Sequence, residues 1–96
     1  MTHVPQSDDV LTQLASKLSE VRGDAGELVP IGLAERARLL RIARDVAHAT
    51  ERQNAPLAAY MIGRFVQESV RTGVSESDAI DTAAAAVRSL IGDLPG

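Results

Sequence analysis

The sequence predicts an all-α protein, a small four-helix bundle made as a single domain from residues 1–96. Three observations predict it. Apolar side chains recur at the three-and-four spacing of one helix face in four separate stretches. Glycine, proline and short polar clusters lie between those stretches, where helices stop. No segment alternates apolar and polar residues as a half-buried strand does. A length of 96 residues suits one domain.

The first helix is expected at about 8–21, after a flexible tail at 1–7. Val10, Leu11, Leu14, Leu18 and Val21 form its apolar stripe. Ser7 is placed to cap it, and Asp8 and Asp9 lie where the helix dipole favours carboxylates. Gly23 ends the helix and begins a connector, in which Pro30 and Gly32 forbid a continuous helix. Leu28, Val29 and Ile31 are expected to tuck under the bundle as an apolar tether.

The second helix, at about 33–51, has the cleanest amphipathic pattern. At 100° per residue, Leu39, Leu40, Ile42, Ala43, Val46 and Ala47 share one arc. Arg38, Arg41, Arg44, Asp45 and His48 fall opposite. Arg41 and Asp45 stand at i,i+4, an attractive pair, and Arg44 and His48 at the same spacing, a mildly repulsive one when the imidazole is protonated.

Gln53-Asn54-Ala55-Pro56 breaks the chain again. Asn54 or Ala55 is the expected cap of a third helix at about 56–72, with Pro56 early in it, where a missing N–H matters least. Leu57, Ala58, Ala59, Met61, Ile62, Phe65, Val66 and Val70 make an apolar arc so wide that this helix is expected to be central. Phe65 is then buried. Gly63, unfavourable by about 1 kcal/mol relative to alanine inside a helix, is expected to let the second helix approach closely. Gly73 stops the third helix.

Ser75-Glu76-Ser77-Asp78 opens the fourth helix, at about 76–91, with Ser75 as cap and Asp78 three residues on. Ile80, Ala83, Ala84, Val87, Leu90 and Ile91 form its inner face, and Asp81, Thr82, Ala85 and Arg88 its outer one. Gly92 and Pro95 end it.

Composition narrows the function. The chain has no cysteine, which excludes disulfides, thiolate metal sites and cysteine nucleophiles. Its aromatics are Tyr60 and Phe65 alone, too few for the stacking platforms that hold single-stranded nucleic acid. Apolar runs fall short of the roughly 18 residues of a membrane span, and the first nine residues are polar and acidic, unlike a signal peptide. A cytoplasmic protein that does not engage membranes is expected.

The formal net charge of −3 hides a strong segregation. Residues 1–35 and 72–96 are acidic, whereas 36–71 carry seven arginines against Asp45, Glu51 and Glu68. The flanking helices are expected to neutralise the middle ones through surface ion pairs, each worth less than about 1 kcal/mol. A sequence pI near 5.2 and the single lysine disfavour nucleic acid as a partner.

Chemistry-bearing constellations are sparse. Asp45 and His48 at i,i+3 supply half of a metal site, and Glu51 one further oxygen, but the only other histidine is His3. No metal and no cofactor is expected. Neither the phosphate-binding nor the dinucleotide-binding glycine pattern is present, and no serine lies in a strand–turn–helix elbow. No residue is assigned a catalytic role, and the chain is expected not to be an enzyme. Tyr60, Arg64, Gln67 and Arg71 run along the third helix at spacings of four, three and four. Tyrosine and arginine often anchor interfaces, so this stripe is the candidate contact for a protein partner or for a second copy in a homodimer.

Residues 39–63, LLRIARDVAHATERQNAPLAAYMIG, resemble an uncharacterised family of small actinobacterial helical domains. The resemblance rests on Ala43-Arg44-Asp45-Val46-Ala47-His48, then Glu51-Arg52, then Ala55-Pro56-Leu57. Gln53-Asn54 stands where that family has Pro-Ala, and the first helix has no tryptophan. Such domains occur alone or fused to molybdenum cofactor guanylyltransferase domains. The resemblance therefore implies an accessory role in molybdenum cofactor (molybdopterin guanine dinucleotide) biosynthesis, with such a guanylyltransferase as partner.

The same motif reads as a helix–turn–helix corner in which Arg52 complements the dipole of the second helix. A sharper alternative is a small anion- or nucleotide-binding site. Arg44, His48 and Arg52, stacked at i,i+4 with Asp45 beside them, would face free N–H groups at the start of the third helix. A DNA-binding regulator is the weakest alternative.

Overall fold

A computed structural model describes residues 7–23 and 31–95 and contains four helices. These are α1 (Ser7–Arg22), α2 (Leu33–Ala49), α3 (Asn54–Arg71) and α4 (Glu76–Asp93). No strand occurs among the described residues, so the protein is all-α, as the periodicity requires. Residues 1–6, and Leu28 and Val29 of the expected tether, lie outside the described residues, as do the side chains of Ser7, Asp8 and Asp9. Ile31 is exposed.

The chain divides into two compact units, 1–32 and 33–96. In the first, α1 presents the predicted stripe, with Leu11 half-buried and Val10, Leu14, Leu18 and Val21 exposed. It ends as its sequence dictates. Gly23 adopts φ +81° and donates its N–H to Ser19 O at 3.1 Å, a left-handed cap that glycine enters without steric penalty.

In the second unit α2, α3 and α4 each pack on the other two, joined by connectors of four residues at 50–53 and 72–75. Ile42, Ile62, Ile80 and Ala83 form the core, and Leu39, Val46, Val66, Ala84 and Val87 pack around it. Thr72, Gly73 and Val74 close α3 in a Schellman arrangement. Gly73 at φ +103° donates to Val70 O at 3.0 Å and Val74 to Ser69 O at 2.9 Å. One residue later the predicted cap of α4 is in place, with Ser75 Oγ accepting from the Asp78 N–H at 3.1 Å.

The expected central position of the third helix is not what the packing shows. α4 buries Ala79, Ile80 and Ala83, whereas α3 buries only Ile62. Alanines on α4 allow close seating against both neighbours, while the wide apolar arc of α3 is covered only along its middle. Its flank remains open: Phe65 is 43% exposed and Met61 68% exposed. Leu90 of α4 and Leu40 of α2, both assigned inward, are each 60% exposed. Among the described residues Gly63 receives no close neighbour, since a Cβ added there meets nothing within 4 Å.

Two stability predictions follow from this packing. Gly63→Ala should stabilise the protein by about 0.5–1 kcal/mol, because it adds helix propensity without a clash. Ile80→Ala should cost about 2–5 kcal/mol as a buried large-to-small change, and Phe65→Ala clearly less because its ring is already partly in water. Urea unfolding of the three variants measures the order; a larger loss at Phe65 than at Ile80 would overturn this account of the core.

Candidate functional site

Three places on the second unit carry chemistry, and helix phase decides each. The first is the seam between α2 and the start of α4. Arg38, assigned to the outer face of α2, is turned far enough toward α4 to be only partly exposed. Its Nη1 pairs with Asp81 Oδ1, and its Nη2 donates to Ser77 Oγ at 3.0 Å. Glu35 Oε2 lies 3.5 Å away on its own helix. The guanidinium thus bridges two helices through a charge-assisted fork. Its Nε–H, like that of Arg36, is buried and has no acceptor among the described residues.

Beside this bridge lies a cavity of about 230 Å³ with Arg38, Arg41, Asp45, Asp81 and Arg88 on its rim and Ile42 and Val87 in its wall. The expected Arg41–Asp45 pair is not formed; among the described residues neither side chain has an ionic partner, and neither has Arg88. Asp45 is half-buried. It lies on the side of α2 that meets α4, because the buried arc of that helix is centred nearer Ile42 than Leu40.

The second place is the α2–α3 corner. Arg44, Asp45 and His48 are on α2, but Arg52 is not in line with them: α2 ends at Ala49 and Arg52 sits in the turn that follows. Thr50 stops the helix, with both its N–H and its hydroxyl donating to Val46 O, at 2.9 and 2.7 Å. Its hydroxyl oxygen then accepts from Asn54 Nδ2 at 3.2 Å. Gln53, not Asn54 or Ala55, is the N-cap, and it makes no side-chain cap bond. The amides of Asn54 and Ala55 donate to Glu51 O and Arg52 O, at 2.9 and 3.1 Å, and Pro56 has no N–H to offer. The start of α3 is therefore a closed turn rather than a set of open donors. Arg44, His48 and Arg52 are exposed.

The third place is the outer side of α3. Tyr60, Arg64, Gln67 and Arg71 lie exposed along one stripe, as their spacing predicts. The Arg64 guanidinium stands 6.0 Å from the Tyr60 ring centroid, and Arg71 pairs with Glu68 at 2.9 Å. Sequence reasoning missed the apolar feature next to it. Met61, Phe65, Ala86 and Val87 line a groove of about 250 Å³ between α3 and α4, with Leu57 and Leu90 exposed on the same two helices. Its signal in the sequence is the excess width of the α3 arc, more than two neighbouring helices cover.

Among the described residues no three histidine, aspartate or glutamate side chains come together as metal ligands, and no helix is long and apolar enough to cross a membrane. The fold and these sites define a small helical domain with a basic-rimmed cleft and an open apolar groove. By its match over residues 3–95, the chain belongs to the family described as domain of unknown function DUF6457. No curated protein and no solved structure matches it.

Replacing Arg38 by methionine tests the bridge. It should destabilise the protein by about 0.5–1.5 kcal/mol at low salt, because the lost interactions are charge-assisted but partly solvated. The difference from the wild type should shrink at about 1 M salt, where the Debye length falls to about 3 Å. A loss independent of salt, read by urea unfolding, would mean that Arg38 acts through its aliphatic stem alone.

Proposed function

We propose that this protein is a non-enzymatic helical interaction module that docks a protein partner on the α3–α4 face. The observation that carries the reading is the open apolar groove, with Met61 and Phe65 of its lining exposed to water. Apolar side chains grouped around a groove and bordered by polar residues are the usual mark of a contact surface. The adjoining Tyr60–Arg64 stripe supplies the residue types that anchor such contacts. The resemblance of residues 39–63 to domains fused to molybdenum cofactor guanylyltransferases makes such an enzyme the partner of choice, and molybdenum cofactor biosynthesis the setting. The anion-binding alternative at Arg44, His48 and Arg52 draws less support, because the amides it would use are engaged within the turn.

Mixing the protein with the molybdenum cofactor guanylyltransferase of the same cell, followed by light scattering on a sizing column, tests this. A one-to-one complex is expected, and Met61→Glu should weaken it by about 30-fold or more, the loss typical of a buried anchor. Because Met61 is largely exposed, that variant should keep the helical circular dichroism of the wild type. A monomeric chain that forms no complex at about 50 μM would overturn the reading, since a useful interface binds more tightly than that. A self-association abolished by Met61→Glu would replace the guanylyltransferase with a second copy of the chain.

A further inference from the structure

We infer that the cleft between α2 and α4 is a binding site for a phosphate group, free or as a small monoester. Four observations within the second unit converge on it. The cleft is formed by side chains from two helices that the Arg38 contacts to Asp81 and Ser77 join across their seam. Arg41 and Arg88 reach it from opposite helices, and neither has an ionic partner among the described residues. Ile42 and Val87 give the cleft an apolar wall, which weakens solvent screening of charges beside it. Asp45, half-buried on the same rim, is a carboxylate with no ionic partner among the described residues.

The last of these selects the ligand. With Arg38 neutralised by Asp81, the cleft offers two guanidinium groups and one carboxylate. A fully deprotonated oxyanion would be held by Arg41 and Arg88 and repelled by Asp45. An oxyanion that retains a proton satisfies all three, accepting from the arginines and donating its O–H to Asp45. Phosphate keeps a proton near neutral pH; sulfate, of the same size and shape, does not. The volume of about 230 Å³ and the apolar wall at Ile42 and Val87 leave room for a short organic substituent on the phosphate. The site is separate from the α3–α4 groove and does not depend on the interaction reading.

Amide chemical-shift titration of the full chain at about pH 6 tests it, with inorganic phosphate, sulfate and glycerol phosphate as separate probes. At that pH a monoester, with a second pKa near 6, is about half protonated. Phosphate should shift amides at 38–45 and 81–88 and bind about tenfold more tightly than sulfate, the effect of one charge-assisted hydrogen bond. Asp45→Asn should bring the two anions to within about twofold of each other, since its amide can donate to either. Arg41→Gln with Arg88→Gln should weaken phosphate by at least about tenfold; if that double variant loses its helical signal, the Asp45→Asn comparison alone decides. Equal or tighter binding of glycerol phosphate would identify a monoester as the ligand, and binding of inorganic phosphate alone a free phosphate. Equal affinity for phosphate and sulfate in the wild type, shifts confined to residues outside the cleft, or no shift at about 50 mM phosphate would each overturn the assignment.

Discussion

The close seating of α4 against α2 and α3 is the constraint on which the rest of the second unit depends. With few large side chains available, the core closes only because Ala79 and Ala83 bring the α4 backbone near its neighbours, letting Ile80 reach Ile42 and Ile62. Interior packing at the density of an organic crystal makes such a seam sensitive to a single methylene. It also sets the phase of α4, and that phase carries Ser77 and Asp81 to Arg38. The bridge is thus a consequence of the apolar seam rather than a rival source of stability. Partly exposed charge pairs contribute too little to position helices by themselves.

The same seating divides the unit into two unlike surfaces. On one side of α4, the seam with α2 is bordered by Arg41, Asp45 and Arg88 and is polar at its rim. On the other, the seam with α3 is bordered by Met61, Phe65 and Ala86 and is apolar apart from Thr82. A narrow α4, poor in long side chains on its inner face, cannot cover both flanks of α3, so leucine, methionine and phenylalanine remain in water. An anion and an apolar protein surface could therefore be engaged by one small unit without competing for the same side chains.

Element existence and type were legible because each helix has a physical start or stop written into it. Ser75 caps α4, Gly73 and Gly23 take left-handed conformations at the ends of α3 and α1, and Pro56 lies in the first turn of α3. Burial was less legible. Periodicity gives the width of an apolar arc but not which part of it meets a neighbour, so it does not show that Leu40, Phe65 and Leu90 are exposed or that Arg38 and Asp45 are half-buried. Gly63 is alike: a glycine's low helix propensity suggests a close contact, yet among the described residues nothing comes within 4 Å of a Cβ added there. α2 stops at Ala49, short of the expected 51, because the Thr50 hydroxyl caps Val46 O and turns the chain at once. That early end removes Arg52 from the face of Arg44 and His48.

Charge segregation along the sequence suggested that acidic flanks neutralise a basic centre, and the described ion pairs show how limited that is. Lys17–Glu20, Arg38–Glu35 and Arg71–Glu68 are all local i,i+3 pairs, and only Arg38–Asp81 joins two helices. Exposed arginines such as Arg44 and Arg52 gain so little from pairing in water that their solitude calls for no explanation. Arg41 and Arg88 differ from them in position rather than in type. They border a cleft shared with a half-buried carboxylate and an apolar wall, where reduced solvent screening strengthens charge–charge terms. Location within the fold, which no count of charges along the chain can supply, is what separates those two arginines from the rest.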